Sequence, residues 1–436
     1  MRRARWWTIG VVAVAAAIAA VPAGAAPDAG IPAVGGLELS ISTNGRYVGY
    51  RTAPETVGAP RDVVRVDMVT GGVVQANVGG TPTPSANGGT MTPSGRYLLF
   101  TQTGKDLYRR DLATNTSTLV SVAPDGTPFD LEDGRRIDPQ SISDDGRMVT
   151  FVTVTFGRPP VDDQAYLRDI VAGTTTQLST VGSSSHRSFV SGDGKHVVTW
   201  TGCPHSCAYP LAAVDLAAPS YPFGDGLLYV VPTSLSANGR YILAADLLYD
   251  RLTGEELPLL GAGSRTLTSL GHDNRFATIV TKSSLVPGDK DTTWDVYIWD
   301  VANDELRRAN IPTRGTGVEP RAVTISPNGN AVGMSLAGEP TVVPAAIPKL
   351  ASARPSHDRG DQHVTVRIEG GFMRPTDWVG FGAGVTVESV RAGTRGSLVA
   401  TVSIAANATP GLRTVTVSRS SPFGRMVGTC TCFRVR

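Results

Sequence analysis

Short runs of apolar or alternating residues recur along most of the chain and predict strands rather than helices. The segments starting at Tyr97, Met148 and Tyr241 are short, largely apolar runs of four to five residues rich in aromatic and branched side chains, the signature of strands bounded by turns. Turn-forming residues bound each run. Gly (49) and Pro (30) make up nearly a fifth of the 436 residues, a share that argues against a helical bundle and for many tight connections. Hydrophobic residues at 41% suffice for a packed core.

The strand runs follow a repeat. A Ser or Thr, two residues, then Gly-Arg and an aromatic or apolar residue begins at Ser42, Thr92, Ser143 and Ser236. Ser191 opens a copy with Lys195 for Arg, Ser326 one with Asn330, and Gly271 a decayed one. The turn positions 45, 95, 146, 194, 239, 274 and 329 are 50, 51, 48, 45, 35 and 55 apart. Asn or Asp ahead of Gly suits a tight hairpin, since Gly takes positive φ without steric cost. Most units carry a second hairpin signal, such as Asp106 to Asp111 before Asn115, or Asp295 to Asp300 before Asp304. Two hairpins per period of about 40–50 residues make one four-stranded propeller blade. The count favours seven blades, the last shortened; six blades with an extra hairpin is the alternative.

The Ser-x-Asp/Asn-Gly-Arg-Tyr turn, followed by Asp-x-Tyr-x-x-Asp, resembles the WD40-like repeats of TolB-like β-propellers over roughly residues 37–345. The stretch from Leu285 to Asp289, leading to Trp294 and Tyr297, resembles secreted bacterial members. TolB itself carries an α/β domain ahead of its propeller, for which residues 26–42 leave no room, so its role in the envelope complex does not transfer simply.

After Pro348 the repeat stops. Alternation at 363–368, 385–387, 398–404 and 414–417 predicts a small β-sandwich. Glu369 to Phe372, Val379 to Gly382 and Thr409 to Val417 resemble Ig-like IPT/TIG domains, which implies a binding or spacing module. The expected layout is all-β: a signal peptide at 1–25, a propeller at 26–345, a linker at 346–353 and a sandwich at 354–436.

The signal peptide rests on Arg2, Arg3 and Arg5, an apolar stretch at 9–21, and small residues Ala23, Gly24 and Ala25. Thirteen apolar residues are too few for a transmembrane anchor, which needs about 20. A secreted or extracytoplasmic protein of the cell envelope is therefore expected, with no membrane anchor in the mature chain. Loss of three Arg takes the formal charge from +2 to −1, so no global field points to nucleic acid. The charge is uneven: residues 349–436 hold 12 Lys and Arg against 5 Asp and Glu, a net +7. That unit is expected to dock on the acidic propeller or to bind an anionic envelope polymer, with Arg354, Arg359, Arg391, Arg395, Arg413, Arg419 and Arg425 as candidates.

Four cysteines form two close pairs, Cys203/Cys207 and Cys430/Cys432. In an exported chain both are expected as disulfides. Cys203, His205 and Cys207, with His196, form the alternative, a Zn or Cu site. Asp289, Asp291 and Asp295 have the oxygen-rich spacing of a Ca²⁺ loop but lack the sixth-position Gly and final Glu of an EF-hand. No cofactor is expected beyond this Ca²⁺ candidate. No nucleophile elbow or His-Glu-x-x-His motif is present, so no catalytic residue is assigned. The irregular connections at 52–61, 153–163, 201–209, 217–229 and 282–293 should emerge on one face, where function tends to sit. The expected function is a monomeric, non-catalytic binding or scaffold protein that engages an envelope protein or glycan. The alternative is a glycan hydrolase or lyase using Asp162, Asp163, Asp289, Asp291 and Asp295.

Overall fold

A computed structural model of the chain describes residues 34–436 apart from 55–60, 78–86, 130, 132–134, 156–162, 180–183, 203–210, 217, 223–231, 245–246, 259–265, 272–273, 288, 310, 312–315, 346 and 395. The described residues form strands, turns and irregular connections, with no helix long and apolar enough to cross a membrane.

Strands 34–344 build seven antiparallel sheets in chain order. Six have four strands, each paired with the next in sequence; the seventh has three, Arg321–Ile325, Ala331–Leu336 and Glu339–Pro344. The first strands of successive sheets touch in turn, and Val34–Ile41 of the first sheet also touches Arg321–Ile325 of the seventh, which closes a ring. Leu39, Ile41, Val48 and Tyr50 share one core with Ala331 and Val342 across that closure. This is the propeller arrangement expected from the repeat.

The repeat residues do specific work. The Ser42 hydroxyl donates to Asn44 Oδ1 and accepts from Tyr47 N, and Ser143, Ser236 and Ser326 repeat the pattern. In five units the Arg that follows the turn grips the Asp that ends the third strand: Arg46 with Asp67, Arg96 with Asp111, Arg147 with Asp169, Arg240 with Asp250 and, after Asn274, Arg275 with Asp300. The grip staples the two turns of a sheet together and holds the Asp67 carboxyl down at about 2. Gly matters for a second reason: a Cβ on Gly146 would lie 2.3 Å from the Tyr97 ring, and one on Gly329 2.2 Å from Phe276. Gly95, Gly146, Gly239 and Gly329 each receive a ring from the preceding sheet.

Residues 349–435 form two further sheets. One runs Lys349–Arg354, Val364–Gly371, Leu398–Ile404, Val385–Ala392; the other Trp378–Gly380, Gly411–Ser421, Gly424–Val435. A core of Val366, Ile368, Phe381, Ala400, Val402, Val415, Val417 and Phe433 lies between them. Most of the segment expected as a linker is thus the strand Lys349–Arg354, and the turn out of the propeller is confined to the few residues after Pro344.

This unit sits against the stapled turns of the ring. Phe372 joins the core between the sixth and seventh sheets and stacks on Phe276 at 5.9 Å and 12°. Arg275 Nη1 donates to the Met373 carbonyl at 3.1 Å, and Arg419 Nη1 to Asn330 Oδ1 at 3.0 Å. Of the arginines singled out by the charge asymmetry, Arg419 reaches the ring, and its charge is matched within its own unit by Asp377 at 2.7 Å. Arg395 lies outside the described residues.

Candidate functional site

The loop 282–293 of the sixth sheet brings the three aspartates together. Asp295 begins the strand Asp295–Asp300, and Asp289 and Asp291 lie in the loop that leads into it. One oxygen from each carboxylate lies within 4.8 Å of the others. Arg308 enters this group from the neighbouring strand Glu305–Arg308, where it pairs with Tyr297. Its Nη1 is 2.8 Å from Asp289 Oδ1, its Nη2 2.8 Å from Asp291 Oδ2 and its Nε 2.5 Å from Asp295 Oδ1. The side chains of Arg308, Asp289 and Asp295 are 7%, 1% and 1% exposed, that of Asp291 38%. The Tyr297 hydroxyl donates to Asp289 Oδ2.

The electrostatics follow from this packing. Arg308 and Thr293 hold the Asp291 carboxyl below the usual carboxylate range. Burial pushes the Asp295 carboxyl up, and Arg308 opposes it. Burial and the bond to Asp289 raise the Tyr297 hydroxyl. Burial would lower the Arg308 guanidinium, but its bonds to Asp295 and Asp291 outweigh this and raise it. The three carboxylates suit a cation by chemistry, and a guanidinium already engages all three. A divalent ion would have to displace Arg308 to gain all three oxygens.

Of the other acids expected at the site, Asp163 does not join this cluster. Asp163 is buried and caps the second strand of the third sheet by accepting from Thr155 N at 2.7 Å. Asp162, Cys203 and Cys207 lie outside the described residues. Cys430 and Cys432 are paired, with Cα atoms 5.3 Å apart. The ladder explains the approach: Phe433 faces Arg413 and Thr431 faces Thr414, so Cys432 is the extra residue of a bulge. A bulge contracts the strand below the roughly 6–7 Å of extended i, i+2 neighbours.

Sequence reasoning missed a second charged group, at the ring's inner edge on the side of the irregular connections. Asp138, on Arg135–Ile142, accepts from Asn87 Nδ2 at 2.7 Å and Gln140 Nε2 at 2.8 Å. Burial raises its carboxyl, while Arg187, Gln140, Arg51 and Asn87 lower it. These residues come from the first four sheets, and Asn87, Asp138 and Arg187 recur 51 and 49 residues apart, at corresponding places ahead of the repeat glycines 95, 146 and 194, but differ in residue type. Arg308 was more accessible: hairpin pairing from Asp300 and Glu305 places it beside Tyr297.

No protein-family model matches the sequence, and no curated protein does. Solved structures match the shape. An oligogalacturonate lyase from Vibrio parahaemolyticus aligns with a TM-score of 0.50 and 10% identity over 72% of this chain and 89% of its own. An oligogalacturonate lyase in complex with manganese gives 0.47 and 13% over 71% and 88%. The β-propeller domain of Cps50 from Myceliophteria thermophila gives 0.45 and 14% over 71% and 96%. The chain contains a β-propeller. Identities this low establish the fold and nothing finer about the propeller.

Proposed function

We propose that the chain is an exported, non-catalytic binding protein. The irregular face of its propeller would engage a protein or glycan at the cell envelope, with the C-terminal sheets as a binding or spacing module of IPT/TIG type. The observation that carries this reading is Arg308. It matches three of the five loop acids considered for catalysis, and Asp163 is tied to backbone. General acid–base work on a glycan needs two carboxylates free to face one bond, at roughly 5–10 Å. Export rests on residues 1–25, and kinship with TolB-like propellers on the repeat.

The test is turnover. The purified chain, incubated with libraries of glycans and peptides, should release no product while retaining at least one ligand on an array. Product formation abolished by D291N or D295N would replace this reading with the hydrolase or lyase alternative. Asp138 is the specific reason to keep that alternative: its raised carboxyl beside cationic groups suits proton transfer. Turnover lost in D138N would support it too.

A further inference from the structure

We propose that the outer face of the C-terminal unit binds an anionic polysaccharide, with a pyranose ring seated on Trp378 and an acidic group on Arg425. Trp378 is 56% exposed, the largest exposed aromatic among the described residues. Its benzo ring runs beside Gly380, in space that a Cβ would take at 2.4 Å. The Arg425 guanidinium lies 5.0 Å from the centre of the ring and is tied to Ser418 Oγ by Nε at 2.9 Å and Nη2 at 2.6 Å. Trp378 and Arg425 are thus held in place before any ligand arrives, which lowers the entropic cost of binding. The guanidinium lies over part of the ring, and the exposed remainder of Trp378 gives a fixed apolar surface beside a planar donor, which suits a sugar ring bearing a carboxylate or sulfate.

The surface continues as a polymer would need. Ser418 faces Trp378 on one side and Val427 on the other, so Trp378 to Val427 spans two strand spacings, about 10 Å. Val427 is 44% exposed and lines a cavity of about 480 Å³ between this unit and the propeller. Lys349 stands exposed at the wall of that cavity, with Leu350, Thr429 and Glu305. An anionic chain fits this path because residues 349–436 carry a net +7.

The site is separate from the propeller face, so its test is separate too. Binding of alginate, a polyuronate, to the full chain is measured by calorimetry beside dextran, a neutral glucan. Alginate should bind and dextran should bind at least 10-fold more weakly. W378A should weaken alginate binding at least 10-fold, W378F should restore most of it, and R425Q should weaken it while flattening the salt dependence. Circular dichroism and melting of each variant confirm that it folds. No alginate binding, equal binding of dextran, or full binding by folded W378A overturns the proposal. R321Q, at an exposed position on the propeller outside both candidate sites, should leave alginate binding unchanged; loss there instead assigns the ligand to the propeller and also overturns it.

Discussion

Replacing Arg308 by Gln should destabilise the sixth sheet severely and reverse its response to acid. The wild-type cluster places one guanidinium against three carboxylates, two of which are 1% exposed. Removing one partner of a buried ion pair costs about 3–5 kcal/mol, because the remaining charges stay desolvated and unmatched. With like charges inside 4.8 Å, R308Q should fall at the upper end. The sign of the pH effect follows from the groups. Asp291 is held low by Arg308 when folded, so its stabilisation is present above the unfolded carboxylate range and is lost as pH falls. Asp295 is held high by burial, so its contribution favours the fold at low pH and is lost as pH rises through its folded value. Without Arg308 the first effect disappears and the second grows. Urea unfolding followed by tryptophan fluorescence suits the test, since Trp294 and Trp299 flank the site. At pH 7, R308Q should lose about 3 kcal/mol or more. It should recover about 1 kcal/mol or more by pH 5, as a buried carboxyl takes up a proton. A loss under about 1 kcal/mol at pH 7, or an equal loss at both pH values, would refute the view that Arg308 neutralises a buried triad.

Three further outcomes are expected. G329A should cost about 1–3 kcal/mol more than G71A in urea unfolding, because both have positive φ but a Cβ at 71 meets nothing within 4 Å while one at 329 meets Phe276; equal costs would remove the sheet-to-sheet role of the repeat glycines. F372A deletes a side chain 1% exposed at the junction of the two units and should cost about 3–5 kcal/mol, with new proteolytic cleavage near residue 348; an unchanged melt and digest would show that the units do not stabilise each other there. Alkylation of the unreduced protein should leave Cys430 and Cys432 unlabelled, and labelling of both on intact-mass analysis would show the pairing wrong.

The fold was legible because the repeat writes the same three interactions into most units. The Ser-to-Asn turn, the Arg-to-Asp staple and the Gly that admits a neighbour's ring are all local or one blade apart, so a period search finds them. The decayed copies are legible too: Asn274 stands where Gly stands elsewhere and adopts φ 56°, a conformation Asn tolerates better than most residues. What the repeat cannot reveal is the non-repeated part. Asp138 bonds Asn87 and feels the charge of Arg187 because a closed ring sets corresponding first-strand positions side by side; their spacings of 51 and 49 follow the repeat, but the polar residues that fill those positions differ from unit to unit, so a motif search passes over them.

The aspartate loop shows why spacing alone overstates chemistry. Asp289, Asp291 and Asp295 read as cation ligands, because a sequence lists acids without listing what stands between them. A loop of three acids at the base of a strand must lose most of its water when the sheet closes, and each buried carboxylate then needs a donor or a cation. The chain supplies that cation from the next strand of the same hairpin, at a position fixed by the Tyr297–Arg308 pairing. Any divalent ion therefore competes with a guanidinium whose position costs no binding entropy. On that argument, Ca²⁺ should raise the melting temperature of R308Q, where the oxygens are vacated, more than that of the wild type. A larger shift in the wild type would mean that Arg308 yields its place and that the loop is a metal site after all.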